Sequence, residues 1–245
     1  MAPQDQPAEP FFTFRNNMIL SIDTSTTVCS VALHRLDGTL LGCYELYTER
    51  TASARLTLLV QDVVAHAGYV LADVSAIAVA KGPGSYTGLR IGVSTAKGLC
   101  MALDKPLIAV NTLAAMTEQV RYFYPADTLF CPMIDARRME VYCAIYGQDG
   151  SQVRATSATV LDEISFADLL ERAPVVFFGD GADKTRLLLT HENARFPLGQ
   201  VRSSARTVGT LAVEAYAAGA FEDLVTFEPY YLKEFRVTTP RQKVS

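Results

Sequence analysis

The 245-residue sequence has only three histidines, no Cys-x-x-Cys pair, no excess of basic residues and no apolar run approaching the thickness of a bilayer. Each shortage removes a class of function. Apolar runs such as Ala76 to Ala80 and Val175 to Phe178 fall far below the ~20 residues a membrane-spanning helix needs, so no membrane association is expected. His34, His66 and His191 stand alone, with no two at the i, i+4 spacing of a helical ligand pair, so no metal is expected. Cys29, Cys43, Cys100, Cys131 and Cys143 are odd in number, which argues against a disulfide framework or a cysteine zinc site. Cys29, Cys131 and Cys143 lie in apolar stretches and read as small buried hydrophobes, a usage that fits a reducing cytoplasm. Twenty-two Lys+Arg against 26 Asp+Glu give a formal charge of -4, against a free-standing nucleic-acid binder with a broad basic face. Residues 1–17 carry Pro3, Pro7 and Pro10 but a single basic residue, Arg15. They match neither a secretory signal nor a transit peptide and read as a disordered extension or an upstream start.

What is present is a globular composition: 49% hydrophobic, 20% charged, mean hydropathy +0.16. At about 150 residues per domain the length allows one large domain or two small lobes. Met18 to Asp23, Val28 to Arg35 and Thr39 to Tyr47 read as a three-stranded meander turning at Thr24–Thr27 and at Asp37-Gly38. From Ser53 the period becomes helical through Leu56, Leu59, Val60, Val63, Val64 and Ala67, with Gly68 as the stop and Leu58 off the stripe. Ser75 to Ala80, a glycine-rich turn, a helix to about Leu103 and Leu107 to Val110 form a βαβ unit. The second half repeats the scheme: strands at Leu129 to Asp135, Met139 to Tyr146 and Gln152 to Leu161, a helix Ser165 to Arg172, a strand Pro174 to Phe178 and a helix to about Thr190. Ile22-Asp23 matches Ile134-Asp135, and Val31 to Leu33 matches Cys143 to Ile145, at one offset of 112. The reading is an α/β chain of two related βββαβα lobes, residues 18–115 and 116–204. A final helix at 205–220 packs back on the first lobe, and an extended tail covers 221–245.

A duplicated unit with an aspartate in each first hairpin is the plan of the actin-like ATPase (ASKHA) superfamily, where facing hairpins grip nucleotide phosphates through N–H groups, hydroxyls and carboxylates. Asp23, Ser25, Thr26 and Asp135 occupy those places. Ser25 stands where turnover of ATP usually comes with glycine, which weakens the expectation of nucleotide binding. The turn Gly82-Pro83-Gly84-Ser85 lacks the Gly-Lys-Ser/Thr of a Walker loop, the dinucleotide spacing and the Gly-x-Ser-x-Gly elbow, and reads as a glycine turn opening a helix. Glycines inside that helix each cost about 1 kcal/mol against alanine, which points to close approach of another backbone.

Three stretches, Met18 to Leu33, Lys81-Gly-Pro-Gly-Ser-Tyr-Thr-Gly-Leu-Arg-Ile-Gly92 and Ile134-Asp-Ala-Arg-Arg-Met-Glu-Val-Tyr142, closely resemble the TsaB (YeaZ) family, with the likeness extending to Tyr231-Leu232-Lys233. The resemblance implies a role in forming N6-threonylcarbamoyladenosine at position 37 of tRNAs that read codons beginning with A. It implies a non-catalytic partner of the TsaD transferase, joined by the ATPase TsaE, with tRNA contacted only indirectly, a homodimer when TsaD is absent and no required cofactor. It further implies that the helices around 53–67 and 86–103 form the partner face, for which Leu56, Leu59, Val60, Val63, Gly88, Gly92 and Ala96 are the candidates. Thr51-Ala52-Ser53-Ala54 departs from the histidine many relatives carry there. The alternative function is a free-standing nucleotide-dependent enzyme of the actin-like superfamily, such as a small-molecule kinase or ATPase.

Overall fold

The computed structural model describes residues 17–47 and 52–233, with the side chains of 52 and 53 set aside. The expected extension and the end of the tail lie outside these residues, as do Thr51 and its neighbours at the start of the first helix. Met18–Asp23 (β1), Cys29–Arg35 (β2) and Leu40–Leu46 (β3) form an antiparallel meander. Ala52–His66 (α1), Ala76–Gly82 (β4), Tyr86–Leu103 (α2) and Leu107–Asn111 (β5) follow, giving a five-stranded sheet in the order β3-β2-β1-β4-β5. The second lobe has Leu129–Asp135 (β6), Glu140–Tyr146 (β7), Gln152–Val160 (β8), Val175–Phe178 (β9) and Ala194–Arg195 (β10), in the order β10-β9-β6-β7-β8. Read from the other edge this is the same sequence of strands, with the same antiparallel and parallel pairings. The fold is the actin-like one, with two related α/β lobes.

The offset of 112 holds through the third strand, because Leu40 maps on Gln152, and then fails. Its failure has a local cause. The 15-residue α1 is replaced by a four-residue helix, Ala167–Leu170, and the helix expected after Gly181 is a 3-10 turn, Ala182–Lys184. A helix at Thr112–Glu118 (α3, numbering the short Ala167–Leu170 helix α4) is not foreshadowed by the sequence pattern. It is started by Asn111, whose side chain accepts from the Leu113 and Ala114 N–H groups. The last helix, Ala205–Ala217 (α5), has Ser204 as its cap.

Each sheet is covered on two faces. The stripe Leu56, Val60, Val63 and Val64 of α1, with Val93, Ala96 and Cys100 of α2, packs on one face of the first sheet, as helical periodicity requires. Val208 and Ala212 of α5 cover its other face, meeting Ile19, Ala78 and Ile108. In the second sheet Phe166, Leu169 and Leu170 pack on one face, and Leu113 and Met116 of α3 on the other. Among the described residues no helix is long and apolar enough to cross a membrane.

Candidate functional site

The turn after β1 places Asp23 at the end of a fully buried strand, where the first parallel and antiparallel pairings diverge. Its Oδ1 accepts from the Ser25 N–H at 2.8 Å and from the Ser25 hydroxyl at 2.6 Å. Its Oδ2 is buried without a partner among the described residues. Burial pushes the carboxyl up to about 6 against the pull of Ser25 and Ser203. The glycine turn then closes over this hairpin. Ser85 N–H donates to the Ser25 carbonyl at 2.6 Å, and Thr24 Oγ1 donates to the Gly88 carbonyl at 2.7 Å. A Cβ on Gly84 would stand 2.1 Å from the Ser25 oxygen, and one on Gly88 would stand 2.0 Å from the Thr24 oxygen. Gly92 is held by the Thr24 hydroxyl, 2.4 Å from where its Cβ would lie. The close backbone approach foreseen for this helix is real, and its partner is the chain's own first hairpin. Gly88 N–H is capped by the Ser85 hydroxyl, so the donors of this helix start are turned inward. Thr26 reaches across to the segment before α5, where its hydroxyl pairs with Ser203 at 2.8 Å.

The second hairpin presents Asp135 at the end of β6. Its Oδ1 takes the Lys184 ammonium at 2.5 Å and the Arg137 N–H at 2.6 Å. Burial alone would raise this carboxyl, but Lys184 and Arg137 outweigh it and hold it below the usual range. Asp180 anchors the same corner by accepting the Asp135 N–H at 3.0 Å, and burial raises its carboxyl. Arg137 and Arg138 both take left-handed backbone angles, φ 70° and 52°, at the tip of this turn. Lys184 was missed by sequence reasoning because it lies 49 residues from its partner, on a turn read as a helix.

The seven residues assigned to a partner face resolve differently. Leu56, Val60, Val63, Gly88, Gly92 and Ala96 are buried inside the first lobe, and Leu59 is half-buried. The correction has a simple cause: the periodic stripe of each helix is what its own sheet buries, so it is not left over for another chain. The exposed apolar residues of these helices are Leu58, which lies off the stripe, and Met101, 75% exposed. Gly98 also faces open space, with nothing within 4 Å of where its Cβ would lie. Three residues of the tail join both lobes. Tyr230 N–H donates to the Lys81 carbonyl at 2.7 Å, Tyr231 packs on Tyr86 at 4.9 Å, and Lys233 pairs with Glu140.

Among the described residues no three His, Cys, Asp or Glu side chains gather as metal ligands. His34 packs against Gly209, His66 pairs with Tyr44 at 2.6 Å, and His191 accepts the Asn193 N–H at 3.1 Å.

The model of the family described as "TsaD: tRNA N6-adenosine threonylcarbamoyltransferase" matches residues 46–238. The tRNA threonylcarbamoyladenosine biosynthesis protein TsaB of Escherichia coli (strain K12) is 40% identical over 149 residues, 60% of this chain and 63% of that protein. The TsaB protein of Bacillus subtilis (strain 168) is 38% identical over 167 residues, 66% of this chain and 70% of that one. The aligned part thus spans slightly under two thirds of the first relative and slightly over two thirds of the second. The solved structure of YeaZ from Pseudomonas aeruginosa superposes with a TM-score of 0.72 at 30% identity, covering 88% of this chain and all of the other. A second solved structure from that organism, described as similar to peptidase YEAZ, gives a TM-score of 0.76 at 30% identity over 89% of this chain.

Proposed function

Because the chain belongs to the TsaB/YeaZ family, whose curated members are named for tRNA threonylcarbamoyladenosine biosynthesis, we propose that it is a non-catalytic subunit that binds and supports the TsaD transferase. The observation that carries this reading is the closure of both phosphate hairpins by the chain itself. A nucleotide needs free N–H donors and an open carboxylate to hold its phosphates and cation. Here the Ser85 and Gly88 donors are engaged, the Thr24–Ser25 turn is covered by glycine backbone, and Asp135 is neutralised by Lys184. Engagement of each histidine by a structural neighbour supports the same division of labour, in which metal chemistry belongs to the partner.

Partner binding is assigned to the exposed sides of α1 and α2, around Leu58 and Met101, and the same face serves a homodimer when the transferase is absent. TsaE joins through the complex, tRNA is held by the complex and not by this chain alone, and the site of action is the cytoplasm. The test is reconstitution with TsaD, unmodified tRNA and threonylcarbamoyl-AMP. This chain alone is expected to transfer nothing, and TsaD is expected to gain activity when the chain is added. Equal modification with and without it overturns the proposal. Calorimetric titration of the lone chain with magnesium ATP is expected to show no saturable binding; tight magnesium-dependent binding would favour a nucleotide-dependent enzyme instead.

A further inference from the structure

Two of the five cysteines form a pair that the closed hairpins do not use. Cys143 lies on β7 opposite Met133, and Cys131 is two residues before Met133 on β6, so both thiols point to the same face of the second sheet. The two thiols hydrogen-bond to each other. Cys131 is fully enclosed, as its apolar surroundings foretold. Cys143 is not a plain core residue, because its sulfur lines a cavity of about 80 Å³ bounded by Arg154, Ser157, Thr159, Ser165 and Phe166. Thr159 Oγ1 is 3.3 Å from the sulfur. The Arg154 guanidinium, held at 2.6 Å by Asp168, stands on the exposed strand β8 at the edge of the cavity. Phe166 completes the wall with a left-handed backbone, φ 65°, that a bulky side chain rarely adopts.

A small polar cavity, a hydroxyl on the sulfur, a cation beside it and a second thiol in contact are the groups that peroxide chemistry at a cysteine requires. We propose that Cys143 is a hydroperoxide-reactive thiol and that Cys131 resolves it to an intramolecular disulfide. The Cys143 thiolate attacks one peroxide oxygen; the S–O bond forms as the O–O bond breaks, and the released hydroxide takes up the thiol's proton as water. Cys131 sulfur then attacks the sulfenic sulfur; the S–S bond forms, the S–O bond breaks, and the hydroxyl leaves as water with the Cys131 proton. Two thiols and one hydrogen peroxide give one disulfide and two waters, with sulfur oxidised and peroxide reduced. The cavity is sized for hydrogen peroxide and not for a bulky organic hydroperoxide. The acidities agree with this order: Cys131, Thr159 and Arg154 bring Cys143 down to about 7, whereas burial pushes Cys29 and Cys43 up to about 11 and Cys100 up to about 12.

The test uses the reduced full-length chain, treated with hydrogen peroxide under native conditions, alkylated and mapped by peptide mass. A Cys131–Cys143 crosslink is expected first, with Cys29, Cys43 and Cys100 still reduced. In Cys131→Ala, dimedone is expected to trap a sulfenic acid on Cys143, and Arg154→Ala is expected to slow that labelling several-fold. Oxidation of Cys43 or another cysteine while Cys143 stays reduced overturns the proposal. Conversion of wild-type Cys143 to sulfinic acid without the crosslink overturns the role of Cys131.

Discussion

Asp23 and His34 stand on neighbouring strands, on the face that α5 covers, and titrate in opposite senses. Burial raises Asp23 from 3.8 to about 6, so the folded state takes up a proton that the unfolded chain does not until the pH is lower. Its stabilising contribution is therefore fully present below 3.8 and lost as the pH rises through about 6. His34 is the reverse: burial, then the charge of Arg206, lowers it from 6.5 to about 4. Its contribution is present above 6.5 and lost as the pH falls through about 4. At roughly 1.4 kcal/mol per pKa unit each amounts to about 3 kcal/mol, so in the wild type the two oppose each other across this window. Single variants separate them. Asp23→Asn, which keeps the Oδ1 acceptor for Ser25, is expected to lose stability steadily from pH 6.5 to 4, while His34→Gln is expected to gain it from pH 6 to 4. Denaturant midpoints measured across that range check both slopes; parallel slopes in the two variants would refute the assignment.

The glycines of α2 divide at the scale of the element. Gly88 and Gly92 are contact points with the first hairpin, and a methyl at Gly88 would overlap the Thr24 carbonyl oxygen. Gly88→Ala is therefore expected to destabilise the fold by several kcal/mol, on the order of an overpacked core position or more. Gly98→Ala meets open space and ordinary helical backbone, and is expected to raise stability by about 1 kcal/mol. Thermal unfolding of the two variants checks both, with opposite shifts expected. The sequence pattern already placed the glycines on a helix and demanded a close neighbour for them. It was silent on which neighbour, because the contact from residue 24 to residue 88 is a property of the βαβ geometry and not of either segment. The strands and α1 were likewise legible from period and turn chemistry. The helices of the second lobe were not: apolar residues such as Phe166, Leu169 and Leu170 bury just as well on a single turn and loop as on a long helix. At the site, Asp23 and Asp135 were found through the internal repeat, whereas Lys184, Ser203 and Thr24 were hidden, since their meaning rests on partners 49, 177 and 64 residues away.

For the whole molecule, the distinction between buried stripe and exposed flank decides where a partner can attach. Replacing Gly92 with a bulky charged residue would break the hairpin contact and confuse unfolding with lost binding. Leu58→Glu and Met101→Glu alter residues that are 46% and 75% exposed, so folding is expected to survive in both. Co-purification with TsaD is expected to fall at least tenfold in the double variant, with unchanged circular dichroism and thermal midpoint; full retention of binding would move the partner face elsewhere. The helices α3 and α5 carry a different consequence. Each closes its own repeat in sequence, yet α3 packs on the second sheet and α5 on the first. The two repeats are thus interleaved like clasped hands. A chain cut between them would strand each half without the cover that completes it, and the duplication that once joined two copies has made them inseparable.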